Sequence, residues 1–324
     1  MKLLIVGCGS IGRRHAKIAR KLADTAIIDL DKDLTDKCAQ DLKVLSFYDL
    51  QKALEWKPDG VVIASSTSSH IPLATQCIQS GFPVLIEKPL SHNLKEGKKF
   101  VELVQEKKNE SYVVCNMRFH PAISTLRDNL EAIGTPYFAR AHFGNYLPNM
   151  RPGTDYRELY CAKRDKGGGL ALDCIHEIDY LMWLFGPVSK TRTMNCKLSD
   201  LEIDVEDYTS LCLKHDSKVV SEIHLDYLRP FKRRGCEIVG ENGMLLWQSE
   251  GKQPEQCKVH MYLSALQKWK TIFNSSQLDV DQPFSDLLLQ FFKAIQGQDH
   301  NLLEVKTAYE ELVIAHKAIE EGLS

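Results

Sequence analysis

Few folds accept an apolar strand that runs straight into a glycine turn and then a helix, and the first twenty-two residues have that form. Lys2 to Val6 read as a buried parallel strand, Gly7-Cys8-Gly9-Ser10-Ile11-Gly12 as the turn, and the periodic segment Ile11 to Leu22 as the helix after it. Gly7 permits a tight bend, Gly9 lets backbone N–H groups approach a pyrophosphate, and Gly12 lets the helix pack closely on the strand. Ser10 and Ile11 open the helix, whose partly positive N-terminus then faces the phosphates. Asp29 follows the second strand, Ala26-Ile27-Ile28, which is the context a dinucleotide site requires. Its carboxylate would accept hydrogen bonds from ribose hydroxyls and repel a 2′-phosphate, so NAD is expected, with NADP the less favoured alternative. Arg13 and Arg14, in the first helical turn, are the cations that keep NADP open.

Further apolar runs at Val44-Leu45, Val61 to Ala64, Pro83 to Ile86 and Tyr112 to Cys115 are separated by helical patterns at Leu50 to Trp56, Ile71 to Ser80 and Leu94 to Lys107. Such alternation predicts βαβ units and an α/β fold with a doubly wound parallel sheet, assigned to a first domain of residues 1–118. Beyond it the pattern changes. Tyr137 to Phe143, Thr191 to Leu198, Tyr208 to Leu213 and Val219 to Tyr227 alternate or run apolar, which predicts an α+β second domain, residues 119–324, with a largely antiparallel sheet. Helices are expected at Leu170 to Phe185, ended by Gly186-Pro187, and at Phe284 to Ile295 and Val305 to Glu321.

Composition narrows the partners. A formal charge of −2 over 324 residues gives no electrostatic reason to expect nucleic acid or a membrane surface. No apolar stretch approaches the roughly 20 residues that cross a bilayer. The ten cysteines lie singly, with no C-x-x-C pair, and are expected to be reduced, mostly buried thiols. Met1-Lys2 leads directly into the first strand, so no signal peptide is expected and the location expected is cytoplasmic.

Three segments offer chemistry. Ser65-Ser66-Thr67-Ser68-Ser69-His70 follows the strand Val61 to Ala64, where Ser65, Ser66 or Thr67 could touch the cofactor, or Ser68 or Ser69 could cap the next helix. His70 either packs or does more. Glu87-Lys88-Pro89 closes the run Val84 to Ile86, placing Lys88 at the carboxyl edge of a nucleotide-binding sheet, where it can hydrogen-bond a substrate hydroxyl and shuttle its proton. In the third segment, Gly167-Gly168-Gly169 leaves room for a substrate or for close backbone approach. The helix after it is expected to place Asp173, His176 and Asp179 on one face. A histidine between two carboxylates is read as catalytic or substrate-binding; no third or fourth ligand with recognisable spacing supports zinc, and no metal is expected. Arg151, Arg157 and Arg164, with Tyr156 and Tyr160, could line the mouth of a pocket or form a solvated loop.

In order, the strand with its glycine turn, Thr67-x-x-His70, Glu87-Lys88-Pro89, Asn116-x-Arg118-Phe119 and the glycine run with Asp173, His176 and Asp179 resemble the glucose–fructose oxidoreductase / inositol dehydrogenase / MocA family. The resemblance implies an amino-terminal Rossmann domain and a carboxyl-terminal domain whose open sheet pairs subunits into a homodimer or homotetramer. It also implies nicotinamide-dependent oxidation or reduction of a sugar or related polyol. It makes Lys88 the active-site lysine, His176 the acid/base and Asp173 the active-site carboxylate, with Glu87, Lys88 and Asn116 at the cofactor and Arg118 at the substrate. One departure is visible: the common spacing is Asp-x-x-x-His, and here it is Asp173-x-x-His176. The shorter form, with Glu177, Tyr180, Arg118-Phe119-His120-Pro121 and the segment from Arg151 to Arg157, is similar to a subgroup associated with nonulosonic (sialic-acid-like) sugar biosynthesis. Two alternatives on the same fold are a non-enzymatic dinucleotide-binding sensor and an imine or biliverdin-type reductase.

Overall fold

A computed structural model describes residues 1–250 and 255–321. The chain divides into two compact units, 1–116 with 280–312, and 117–279 with the residues from 313 onward.

The first unit alternates β1 (Lys2–Val6), α1 (Ser10–Ala19), β2 (Asp24–Ile28), α2 (Lys32–Leu42), β3 (Leu45–Phe47), α3 (Leu50–Glu55), β4 (Gly60–Ile63), α4 (Thr67–Gln79), β5 (Val84–Ile86), α5 (Leu94–Lys107) and β6 (Ser111–Val113). These six strands are parallel, in the order β6-β5-β4-β1-β2-β3. Leu3, Leu4, Ile5, Val61, Val62 and Ile63 are all fully buried, because helices cover both faces of a parallel sheet; this is why the strands read as unbroken apolar runs. The strand order reverses between β1 and β4, the place where such sheets take ligands at their carboxyl ends.

The second unit holds α6 (Pro121–Asp128), β7 (Pro136–Gly144), α7 (Leu170–Asp173), α8 (His176–Phe185), β8 (Val188–Cys196), β9 (Tyr208–His215), β10 (Val220–Asp226), β11 (Arg233–Gly240), β12 (Gly243–Glu250), β13 (Gln256–Leu263) and β14 (Lys268–Ser275). Its eight strands lie in the order β14-β13-β12-β11-β7-β10-β9-β8, antiparallel except where β7 meets β10. Burial alternates along β9 and β12, the mark of a sheet with one face packed and one open.

Three differences from the sequence reading stand out. The expected helix Leu170 to Phe185 is broken into α7 and α8 at Cys174, whose φ of −99° and ψ of 30° leave the helical range. β11 to β14 add four strands in a region where none was named. Finally, α9 (Gln282–Ile295) and β15 (Leu303–Glu304), which the sequence boundary assigned to the second domain, return to the first unit; α10 (Val305–Glu321) starts there and continues into the second. β15 pairs antiparallel with β6, and α9 packs on α1, with Phe284 edge-on to His15 at 5.4 Å and Asp281 bound to Arg14 and Lys17. An apolar helical period says that a face is buried, not which sheet buries it. Among the described residues no helix is long and apolar enough to cross a membrane.

Candidate functional site

In the first unit every residue expected at a dinucleotide lies at the carboxyl edge of the parallel sheet. Gly7 follows β1 with φ +113°, and a Cβ there would lie 2.5 Å from the Ala64 carbonyl oxygen. A Cβ on Gly12 would lie 2.0 Å from the Gly7 oxygen, so packing accounts for both glycines. Gly9 differs, since a Cβ there would meet nothing within 4 Å. It precedes α1 without a side-chain cap, and the first turn, with Ser10, Ile11 and Gly12, carries no acidic residue. The leading N–H groups of a helix need acceptors, and a pyrophosphate over an open glycine would supply them. Asp29 follows β2 and accepts from Cys8 N at 2.6 Å and Asp31 N at 3.1 Å, which holds its carboxylate beside the turn. These residues fit a dinucleotide.

Ser65 follows β4. α4 begins at Thr67, earlier than the expected Ile71, and its N-cap is Ser66 in place of Ser68 or Ser69. The Ser66 hydroxyl lies 3.0 Å from that of Ser69, which in turn donates to Ser65 at 2.9 Å, giving a short chain of hydroxyls at the edge. His70 is buried; its Nδ1 lies 3.0 Å from Pro89 O and its Nε2 3.2 Å from Ser65 O, so it braces the lysine loop against α4. Burial pushes its pKa down. Glu87, after β5, is also buried, with Oε1 2.7 Å from His15 Nε2 and Oε2 accepting from Lys88 N at 3.1 Å. Lys88 is half-buried beyond that clamp, and Asn116 opens a 3₁₀ turn after β6. The sequence reading missed His15, a buried histidine hidden in an ordinary helical stretch whose partner is distant in the chain.

The second unit revises the polar stripe. Asp173 closes α7 and His176 opens α8, both half-buried, so one continuous helix face does not hold them. Asp179 is buried and its Oδ1 is 2.6 Å from Nη2 and 2.8 Å from Nε of Arg118. Arg118, expected at the substrate, is thus itself buried and committed to an ion pair. Glu177 is likewise buried against Arg234 of β11, at 2.6 and 3.1 Å. The two pairs anchor α8 on either side of its first turn; Arg234 is the residue that sequence reasoning missed, because nothing local marks its partner.

The glycine run also has a packing role. A Cβ on Gly168 would lie 2.3 Å from Tyr160 O, and one on Gly169, at φ +113°, would lie 2.7 Å from Glu206 Oε1. Glu206 accepts from Ala171 N at 3.3 Å, and burial pushes its pKa up. In the loop before the run, Arg157 binds Asp155 and Glu202 at 2.7 and 2.8 Å, Arg164 donates to Asp204 O at 3.1 Å, and the Tyr156 hydroxyl accepts from Glu202 N at 3.2 Å. These three tie the loop to the chain before β9, whereas Arg151 is exposed and in no ion pair among the described residues. Tyr160 donates a hydrogen bond to Asp173 Oδ1.

Two family models match the chain, one within each unit. Residues 1–114 match the oxidoreductase family model with an NAD-binding Rossmann fold, and residues 124–246 match the GFO/IDH/MocA C-terminal domain model. The myo-inositol 2-dehydrogenase of Thermotoga maritima is 28% identical over 57% of this chain and 55% of its own length. The rhizopine catabolism protein MocA of Rhizobium meliloti is 26% identical over 57% of each. The chain therefore spans little more than half the length of these two relatives. An inositol 2-dehydrogenase from Acidothermus cellulolyticus is 26% identical over 84% of this chain and 80% of its own. Among solved structures, the UDP-N-acetylglucosamine 3-dehydrogenase of Acidithiobacillus ferrooxidans superposes with a TM-score of 0.82 over 100% of this chain and 99% of that one, at 19% identity. A putative NADPH-dependent oxidoreductase from Desulfitobacterium hafniense has a TM-score of 0.84 at 14% identity, over 100% and 96% of the two chains.

Proposed function

Because the chain belongs to the GFO/IDH/MocA oxidoreductase family, we propose that it transfers a hydride between a nicotinamide dinucleotide and a hydroxyl or keto carbon of a sugar or sugar derivative. The observation that carries this reading is the open Gly9 above an uncapped α1, with Asp29, Ser65 and Lys88 on the same sheet edge. NAD is preferred over NADP in the proposal. Asp29 would repel a 2′-phosphate, and the two nearby cations are engaged, Arg13 with Asp41 at 2.6 Å and Arg14 with Asp281 at 3.1 Å.

When bound, the dinucleotide supplies the hydride acceptor or donor. Lys88 donates a hydrogen bond to the reacting oxygen and stabilises the charge that develops there. His176 takes the hydroxyl proton in the oxidative direction and returns it in the reductive one, and Asp173 orients the histidine or the substrate. Arg151, Tyr156, Arg157 and Arg164 pass from expected substrate ligands to supports of the loop, Arg151 excepted. The sugar class is supported by the inositol and aminosugar names of the relatives, and a nonulosonic sugar by the segments around Arg118 and Arg151. The proposal includes a cytoplasmic homodimer or homotetramer paired through the eight-stranded sheet, where Tyr137, Met194 and Trp269 are exposed. Sedimentation as a monomer at micromolar concentration would remove that part.

The deciding experiment follows NADH formation and consumption by absorbance with hexoses, inositols, aminosugars, nucleotide sugars, nonulosonic acids and their keto forms, with NADP in parallel. Turnover of one class with NAD supports the reading. A folded chain that binds NAD and turns over nothing in either direction overturns the sugar reading and leaves the sensor and the imine or biliverdin-type reductase.

A further inference from the structure

The short Asp-x-x-His spacing leaves a question the helices do not answer. With α7 ending at Asp173 and α8 starting at His176, no shared helical turn fixes the carboxylate relative to the imidazole. We propose that Tyr160 is a positioning residue for the reaction, its phenol hydroxyl holding Asp173 as an ionised acceptor in a set orientation; the catalytic part of this inference rests on the function proposed above.

The contact is built into the backbone. Tyr160 lies at the start of a 3₁₀ turn, Tyr160–Ala162, and donates to Asp173 Oδ1. The chain between them is pinned, because Gly169 N donates to Cys161 O at 3.1 Å and Gly168 N to Lys163 O at 2.9 Å. Gly168 also packs against Tyr160 O so closely that a Cβ would lie 2.3 Å from it. Glu206, from the chain before β9, caps Ala171 N and so seats the start of α7. Every element that carries the tyrosine and the aspartate is therefore held by a bond independent of their own.

A second phenol shows that the role is specific to Tyr160. Tyr227 is fully buried beside Asp173, yet its hydroxyl has no hydrogen-bond partner among the described residues. Tyr160 is 36% exposed and is the one that donates. A hydrogen bond to the charged form of a carboxyl favours ionisation, whereas a buried neighbour that makes none does not. Tyr160 thus favours Asp173 as an acceptor, for a sugar hydroxyl or for His176.

The test uses the full chain labelled with [4-¹³C]aspartate, with the Asp173 signal identified by its loss in Asp173→Asn. Tyr160→Phe is expected to raise the Asp173 titration midpoint by about one pH unit, and Tyr227→Phe to move it by much less. If turnover is found, the acid limb of kcat/KM moves with the midpoint in Tyr160→Phe, a displacement that a merely structural loss would not produce. An unchanged midpoint in Tyr160→Phe, or an equal rise in Tyr227→Phe, overturns the assignment. Should Tyr160→Phe fail to fold, the wild-type chain labelled with [ζ-¹³C]tyrosine decides: the Tyr160 signal must titrate with the Asp173 midpoint, and independence overturns it. The titration needs no turnover, so failure of the oxidoreductase reading and failure of this one are separately visible.

Discussion

Glu177 and Arg234 form a fork-to-fork ion pair inside the second unit, with Nε to Oε1 at 2.6 Å and Nη2 to Oε2 at 3.1 Å, one residue after His176. The Phe143 ring lies 4.8 Å from the guanidinium and Met117 Sδ 3.3 Å from Nη1, so the arginine is enclosed as well as paired. Removing one partner leaves an uncompensated buried charge, so Glu177→Gln or Arg234→Met should each cost about 3–5 kcal/mol. The double variant should recover much of that loss. Urea unfolding of the four proteins measures it, and a single variant within about 0.5 kcal/mol of wild type would show that the pair does not anchor α8.

The glycine turn separates packing from ligand approach. Gly12→Ala places a Cβ 2.0 Å from the Gly7 oxygen and should destabilise the fold by about 1–3 kcal/mol. Gly9→Ala meets nothing within 4 Å and should leave stability within about 0.5 kcal/mol. It should nevertheless weaken NAD binding by about tenfold or more, a cost of at least about 1.4 kcal/mol. Thermal unfolding beside calorimetric titration reads both; undiminished NAD affinity in Gly9→Ala would argue against a pyrophosphate at that position.

Lys88→Met and His176→Asn should each depress turnover by about 10²- to 10⁴-fold, the usual worth of a positioned acid or base. NAD affinity should stay near that of the wild type. A variant that loses turnover and NAD binding together has lost the binding site, and the proton-handling role would pass from that residue.

Asp29→Asn keeps an acceptor for Cys8 N but removes the charge facing a 2′-phosphate. The ratio of NAD to NADP affinity is expected to fall by about tenfold, a change of about 1.4 kcal/mol. If fluorescence titration with both cofactors returns an unchanged ratio, the preference lies elsewhere in the turn.

His142 on β7 is pushed down to about 4 by burial and by the nearby cations Arg229 and Arg233. In the unfolded chain a histidine binds its proton near pH 6.5, so between about 6.5 and about 4 unfolding takes up a proton that the folded His142 refuses. Stability contributed by this group is fully present above that window and falls with pH through it, by at most about 1.4 kcal/mol per pH unit. His142→Gln should flatten the decline in melting temperature over the same window. Equal slopes in wild type and variant would assign the acid sensitivity to other groups.

What could be read from the chain and what could not follows from how far apart the interacting residues lie. The parallel sheet was legible because strands buried on both faces, such as Val61 to Ile63, need no partner information to be recognised. The dinucleotide edge was legible for the same reason, since Gly7 to Gly12 and Asp29 are local signals. The ion pair of Arg118 with Asp179 was not legible because the two lie 61 residues apart, and an arginine has the same local appearance whether it pairs within the chain or binds a ligand. The break at Cys174 escaped notice because Leu172, Ile175 and Ile178 keep a helical apolar period straight through it. β11 and β12 place apolar Val239, Met244 and Leu246 on the open face and polar Arg234 and Ser249 on the packed one, which blurs the alternation on which strand recognition depends.

The return of α9 and β15 to the first unit gives biosynthesis an order. When residue 116 leaves the ribosome, β6 is still the last strand of its sheet, with one side of its backbone unpaired, and the face of α1 around His15 is bare. Both stay so until residues 117–279 of the second unit have been translated. An unpaired strand edge is a template for association with other chains, and amino-terminal units generally begin to fold during synthesis. The nascent chain thus carries an unpaired strand edge while residues 117–279 are made, and a stop introduced before residue 280 should yield an insoluble fragment in place of a free nucleotide-binding module.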